Sequence, residues 1–328
     1  MYRPQIGHKS VTYRFLRLDI VWLERVATLA AKIIEGRTLG QKIKDHIKKE
    51  TTVLRGSGVN PHLVTILVGD NAASKTYLRS KHSACVDVGI QSRNLELNSN
   101  TSQHELEQII DELNRDTTVT GILLQLPLPK GLNDFAAINK ISPEKDVDGL
   151  HPFNLGQLWQ KSAQLVPCTP KGVIVLMKYY GIRIGGKHAV IINRTKLVGR
   201  PLAQLLLNED ATVTICHSKT VDLKERAREG DILVTGIGRR EHFTAGADMI
   251  KPNATVIDVG TSRVDGRLLG DVDFDSVLNV AAYLTPVPGG VGPMTIAMLL
   301  YNTLVATAMQ RGMSLTFNPE ELSSASGL

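Results

Sequence analysis

Residues 189–201 read Ala-Val-Ile-Ile-Asn-Arg-Thr-Lys-Leu-Val-Gly-Arg-Pro, an apolar run that breaks into a polar turn and then into a helical stretch reaching about Leu207. The run Ala189–Ile192 reads as a buried strand. A strand–turn–helix of this kind points backbone N–H groups at the turn, where a pyrophosphate can sit. The turn lacks a full GxGxxG, so an ordinary βα loop is the alternative reading. About twenty residues further on, the strand Thr212–Cys216 ends at His217-Ser218-Lys219. An NAD-selective fold places Asp or Glu there to hold the ribose 2′-hydroxyl. This chain instead offers Ser218 and Lys219, with Arg194 and Thr195 on the neighbouring loop. Hydroxyls and fixed positive charge suit a 2′-phosphate, so NADP is the expected cofactor. Gly236-Ile237-Gly238 follows the next strand and either lets a cofactor approach the backbone or serves a tight turn.

The same alternation continues in both directions. Downstream come strands Ile232–Thr235 and Thr255–Val259 and a closing apolar helix from Met294. Upstream, Leu39, Ile43 and Ile47 recur at helical spacing, and Val64–Val68 is a buried strand ending in Gly-Asp. Residues 72–88 read as helix and Ile90–Leu97 as extended chain. Ser102-Gln103-His104-Glu105 is a capping box that opens a helix with Leu106, Ile109, Ile110 and Leu113 on one face. Val119–Gln125 is another buried strand, stopped by Pro127 and Pro129, and a turn-rich passage from Ser142 to Pro170 separates the halves. This pattern predicts two doubly wound α/β domains, the second a Rossmann-like NADP-binding domain, with a ligand cleft between them.

Composition narrows the class. The chain has 328 residues, long enough for two cores, and 42% hydrophobic with 21% charged residues, which is ordinary for a globular protein. Cys85, Cys168 and Cys216 form no CxxC pair, and Cys216-His217 is adjacent rather than ligand-spaced, so no metal site is expected. The pI of 9.2 raises nucleic-acid binding. Residues 1–27, however, carry five bases against two acids and hold half of the +6 charge, and no basic run follows. Neither nucleic acid nor a membrane is an expected partner. The Met294–Met309 stretch is shorter than a bilayer span and reads as a buried helix. Residues 1–27 lack a secretory signal and are open among an organellar presequence, a misplaced start and a disordered extension. The expected location is cytoplasmic, or organellar if they are a presequence.

In the first half, Ser74, Tyr77 and Lys81 stand at i, i+3 and i+7 and share a helix face. A solvated face is the plain alternative. Gln125 ends a buried strand, where a polar side chain needs a partner. Lys145-Asp146-Val147-Asp148-Gly149 puts two acids in the interdomain passage, either as a site or as a loop.

From about Thr28 to Gln310 the chain resembles the bifunctional methylenetetrahydrofolate dehydrogenase/methenyltetrahydrofolate cyclohydrolases. The resemblance rests on Ser74-x-x-Tyr77-x-x-x-Lys81, on Gln125-Leu126-Pro127-Leu128-Pro129, and on Lys145–Gly149 with His151-Pro152. Pro167-Cys168-Thr169-Pro170-Lys171-Gly172, Val198-Gly199-Arg200-Pro201, the Ala211–Thr220 stretch and Thr285–Thr295 extend it. It implies NADP-dependent oxidation of 5,10-methylenetetrahydrofolate, then hydrolysis of the methenyl product to 10-formyltetrahydrofolate, in one-carbon metabolism and by a homodimer.

The implied domains are an N-terminal extension (1–27), a folate-binding catalytic domain (28–168 with helix 294–311), an NADP-binding domain (169–293) and a C-terminal tail (312–328). Lys81 is the implied acid–base group, helped by Gln125, with Tyr77 stacking on the substrate and Asp148 bonding its pterin. Leu126, Pro127, Pro288, Gly289 and Gly290 complete the implied substrate site. Asn193, Arg194, Thr195, Val198, Gly199, His217, Ser218, Gly236, Gly260 and Thr261 are the implied cofactor residues. The chain departs from the family where Asn193-Arg194-Thr195 replaces Gly-Arg-Ser and Thr261-Ser262 replaces Ile-Asn. The Asn193 side chain is expected to narrow the cofactor approach. Two rival readings are a dehydrogenase without the hydrolytic step and a binding protein without turnover; intact Tyr77, Lys81, Gln125 and Asp148 argue against both.

Overall fold

The computed structural model describes residues 30–323; the extension expected over residues 1–27 lies outside the described residues. The chain opens with β1 (Lys32–Ile33) and α1 (Gly36–Gly56), then β2 (His62–Val68), α2 (Ala72–Val88), β3 (Gln91–Leu97), α3 (Gln103–Arg115) and β4 (Gly121–Leu124). The helices α4 (Asp134–Lys140), α5 (Pro152–Trp159) and α6 (Cys168–Tyr179) carry it to the second half. There β5 (His188–Ile192), α7 (Gly199–Asn208), β6 (Thr212–Cys216), α8 (Leu223–Arg228), β7 (Ile232–Thr235) and β8 (Thr255–Asp258) alternate. The hairpin β9 (Ser262–Val264) and β10 (Arg267–Leu269), α9 (Phe274–Val277), β11 (Tyr283–Leu284) and α10 (Val291–Gln310) complete the order.

Two parallel sheets result. The first has order β3-β2-β4 and the second β1-β11-β8-β7-β5-β6. Val64, Ile66 and Val68 on β2 and Ile122 and Leu124 on β4 pack against Leu106, Ile110 and Leu113 of α3. That helix starts where the sequence placed its capping box: Ser102 accepts from the Glu105 backbone N–H at 3.2 Å and Glu105 accepts from the Ser102 N–H at 2.8 Å. Such a cap stabilises by about 0.5–2 kcal/mol.

Three features differ from the sequence expectation. Lys32–Ile33, read as part of the first domain, pair in parallel with Tyr283–Leu284 of the second sheet. Ile34, fully buried beside them, anchors that edge. The turn-rich passage after Ser142 contains α5, begun by Pro152 at its first position with the His151 ring accepting from the Phe153 N–H. The segment expected as a tail docks on the helices. Phe317 stacks on His46 with ring centroids 4.4 Å apart, and Glu320 pairs with Lys178 at 2.7 Å.

Helix α10 is long and apolar enough to cross a membrane by length and composition, but most of it is buried inside the protein. It packs on α6 and α1, as expected of a core helix. Its fully buried Met298, Leu300 and Leu304 each contribute about 1.5–3 kcal/mol. Several polar groups on it bond internally, although Asn302 Oδ1 has no partner among the described residues. Asn302 Nδ2 donates to Val147 O at 2.9 Å and Val166 O at 2.8 Å, and Gln310 Nε2 donates to Thr120 O at 2.8 Å. The core helix thus also holds the loop that carries Asp148.

Candidate active site

The helix face proposed from spacing is real. Asn71 caps α2 by accepting from the Ser74 N–H at 3.0 Å, and the helix then carries Tyr77 and Lys81 inward. Lys81 is buried, donates from Nζ to Gln125 Oε1 at 3.0 Å, and stands 4.5 Å from the centre of the Tyr77 ring. Gln125 follows the carboxyl end of β4, its N–H bonded to Ile66 O at 2.9 Å. Its own Nε2 donates to Leu126 O at 2.8 Å, which orients Oε1 toward the lysine. Leu126 therefore acts through its backbone, while Pro127 is exposed.

The passage 145–149 separates its charges by role. Lys145 Nζ donates to Leu113 O, Asn114 O and Asp116 O at 3.0, 2.8 and 2.8 Å, closing the end of α3. Asp146 accepts from the His151 N–H at 2.8 Å and from Asn154 Nδ2 at 2.9 Å. Both are structural, and this leaves Asp148 as the acid facing the lysine. Burial pushes the Asp148 carboxyl above its usual range, opposed by the Lys81 charge and the Cys168 thiol. Burial lowers the Lys81 pKa, with Asp148 opposing. Burial also raises the Tyr77 hydroxyl, helped by Asp148, while the nearby Thr295 hydroxyl works against the rise. The result is a half-buried cluster of one amine of reduced basicity, a carboxamide, an aromatic face and a carboxyl.

Two members escaped the sequence reading. Cys168, read as a free thiol and as part of the Pro167–Gly172 motif but given no role in the site, donates to Val147 O at 3.3 Å beside Asp148. Thr295 meets Thr169 at 2.9 Å and lies near the Tyr77 hydroxyl. Neither residue type carries a spacing signal. Of Pro288–Gly290, Gly289 O accepts from the Gly36 and Arg37 N–H groups at 2.9 and 3.1 Å, at the approach to α10 and Thr295.

The implied cofactor residues share one sheet edge. Register places Cys216, Ile192, Thr235 and Asp258 side by side, so the segments that follow them emerge together at the carboxyl ends. Arg194, Thr195, Ser218 and Lys219 are exposed on adjacent loops, a donor set that fits a 2′-phosphate. His217 organises its turn, its N–H donating to Thr220 Oγ1 at 2.8 Å and its Nδ1 accepting from the Lys219 N–H at 3.1 Å.

Asn193 corrects an expectation. Its side chain is buried and does not narrow the approach. Oδ1 accepts from the Thr195 N–H and Oγ1, both at 2.8 Å, and from the Gly199 N–H at 3.0 Å, while Nδ2 donates to Gly236 O. An amide that accepts three hydrogen bonds and donates one is held in place there. Thr195 Oγ1 also accepts from the Val198 N–H at 3.2 Å. The other departure divides similarly: Thr261 is exposed, whereas Ser262 is buried and accepts from the Arg240 N–H at 3.0 Å.

A Rossmann-type sheet edge facing donors for a phosphorylated dinucleotide, together with a buried lysine–carboxamide–tyrosine cluster, defines a two-domain nucleotide-dependent α/β enzyme. Family models agree. The tetrahydrofolate dehydrogenase/cyclohydrolase catalytic domain matches residues 34–148 and its NAD(P)-binding domain matches 167–311. The chain belongs to the tetrahydrofolate dehydrogenase/cyclohydrolase family. It is 50% identical over 276 residues to the bifunctional protein FolD of Nitrosopumilus maritimus, covering 84% of this chain and 96% of that one. The bifunctional FolD methylenetetrahydrofolate dehydrogenase/cyclohydrolase of Campylobacter jejuni superposes with TM-score 0.83 at 45% identity, over 85% of this chain and 99% of that one. The Trypanosoma brucei dehydrogenase-cyclohydrolase, solved with NADP and an inhibitor, gives TM-score 0.81 at 41% identity over 85% and 98%.

Proposed function

We propose that this chain oxidises 5,10-methylenetetrahydrofolate with NADP and hydrolyses the methenyl product to 10-formyltetrahydrofolate. The observation that carries the reading is the buried Lys81 amine, 3.0 Å from Gln125 Oε1 and 4.5 Å from the Tyr77 ring. NADP, when bound, accepts the hydride. The protein supplies position: Tyr77 offers a flat apolar face for the pterin system, and Asp148 offers a carboxyl to its polar edge.

The hydrolytic step needs a base beside a cationic substrate. Burial already lowers the Lys81 pKa, and a methenyl cation would lower it further, so the neutral amine accepts a proton from the attacking water. Gln125 accepts one Lys81 N–H and so fixes where the amine lone pair points.

The working division is a catalytic half through residue 168 closed by α10, and a cofactor half over 169–293 that borrows β1. A homodimer is part of the proposal. Strand β6 ends the second sheet, with Ile215 exposed on it and Leu207 exposed on the neighbouring α7, an edge that pairing would cover. Sedimentation of the purified protein tests the dimer. The activity is tested by adding methylenetetrahydrofolate and NADP and following NADPH and methenyl absorbance together. NADPH should rise while the methenyl signal passes through a maximum. NADPH with a persistent methenyl signal would leave only the dehydrogenase.

A further inference from the structure

The most enclosed charges of the second half play no part in the scheme above. Asp271 is fully buried and Asp258 nearly so. Asp271 accepts from the Ile237 N–H, and its Oδ1 accepts from the Gly238 N–H at 3.0 Å. Asp258 accepts from Thr235 Oγ1 at 3.1 Å, from the Gly260 N–H at 2.9 Å and from the Val272 N–H at 2.8 Å. Each carboxylate nests against a glycine of the other's segment. A Cβ on Gly260 would come within 2.2 Å of the Asp271 carboxylate, and one on Gly270 within 2.0 Å of Asp258 Oδ2. Arg240 closes the assembly, donating to Gly270 O at 2.6 Å and Val272 O at 2.9 Å.

The pattern Asp258-x-Gly260 with Gly270-Asp271 is therefore a reciprocal lock. It joins the segments that follow β7, β8 and β10 at the carboxyl edge of the sheet. On its other side the post-β7 loop is held by Asn193, whose Nδ2 donates to Gly236 O. Backbone groups at three consecutive positions, Gly236, Ile237 and Gly238, are thus fixed by side chains distant in sequence. An ordinary βα loop needs no such restraint; a surface that must meet a flat ring within a few tenths of an ångström does.

We infer that Asp271 is a positioning residue for hydride transfer, holding the Gly236–Gly238 loop in the shape that sets the nicotinamide ring against the folate. This rests on the proposed placement of NADP along Gly236 and Gly260. The 2′-phosphate donors lie at β5 and β6, so overall NADP affinity survives loss of the lock while ring placement does not. Hydrolysis of supplied methenyltetrahydrofolate uses the other half and needs no NADP.

The experiment compares Asp271→Asn, isosteric and able to keep one acceptor, with Asp271→Ala. In Asp271→Asn, dehydrogenase kcat should fall about tenfold or more, with the NADP dissociation constant changed by less than about threefold. Cyclohydrolase rate should be unchanged. Amide hydrogen exchange over residues 236–240 of the NADP-free protein should speed up, with residues 72–88 unaltered. Asp271→Ala should exceed these changes in the same order. Unchanged dehydrogenase kcat, or parallel loss of both activities in Asp271→Asn, would overturn the inference. Arg194→Ala separates the two levels. If it leaves NADP binding intact, the cofactor placement itself fails; if it weakens NADP while Asp271→Asn is silent, only the role of Asp271 does.

Discussion

Lys81→Met is the substitution that tests the site most directly. Methionine keeps the apolar stem and nearly the length of lysine but removes the amine that donates to Gln125 Oε1 and lies over the Tyr77 ring. Two stability effects oppose each other. Gln125 loses its donor, which costs at most about 1–3 kcal/mol because this acceptor is only half-buried. The protein also ceases to bury an amine whose charged form burial already disfavours, which offsets part of that cost. The net change should stay within about 2 kcal/mol, leaving the protein folded. Loss of acid–base catalysis costs about 10²–10⁴ in rate, equivalent to about 2.7–5.4 kcal/mol of barrier. The kinetic effect is therefore the larger and is separable by a urea unfolding curve run on the same preparation. Cyclohydrolase activity is read as decay of methenyltetrahydrofolate absorbance, and folate binding by calorimetry. A Lys81→Met protein that unfolds at the wild-type midpoint, binds folate and still hydrolyses at the original rate would refute Lys81 as the base.

Asp148→Ala should abolish folate affinity while NADP binding persists; unchanged folate affinity by calorimetry would return Asp148 to a loop role. Asp148→Asn removes the charge that holds the Lys81 pKa up against burial, so that pKa falls further. With the neutral amine as the proposed active form, activity should rise with pH through this pKa, and the rising limb of residual cyclohydrolase activity should move to lower pH. A limb that stays or moves upward contradicts the coupling. Arg194→Ala should weaken NADP by about tenfold to a hundredfold, from loss of one charge-assisted contact, and leave NAD nearly untouched. Equal use of NADP and NAD by the unmutated enzyme would sink this assignment. Asn193→Gly deletes an amide that accepts three hydrogen bonds and donates one. It should lower stability to denaturant by about 2–4 kcal/mol, and an unchanged unfolding midpoint would show that these four bonds are dispensable.

Local signals sufficed wherever the determinant lay within one or two turns of chain. The Ser102–Glu105 cap and the strands Thr212–Cys216 and Ile232–Thr235 stand where the pattern of residues put them. Apolar runs, caps and turn residues act over a few positions and so remain visible in one dimension. The i, i+3, i+7 face of Ser74, Tyr77 and Lys81 was legible for the same reason. That Lys81 turns inward and not to solvent depended on Gln125, 44 positions away.

What the tertiary structure alone decided are pairings between distant segments. Two-residue β1 joins a sheet whose nearest strand lies near residue 283. Lys145 and Asp146 turn out to be braces and Asp148 the acid left beside Lys81, because carbonyls of α3 and the start of α5 reach the first two. Asn193, expected to intrude on the cofactor, is drawn inward by Gly236, 43 positions on. The reciprocal lock of Asp258 and Asp271 left only two Asp–Gly pairings in the sequence, without periodicity. A buried polar group takes whatever partner the fold brings to it, and that partner is set by the packing of sheets and helices, not by its neighbours along the chain.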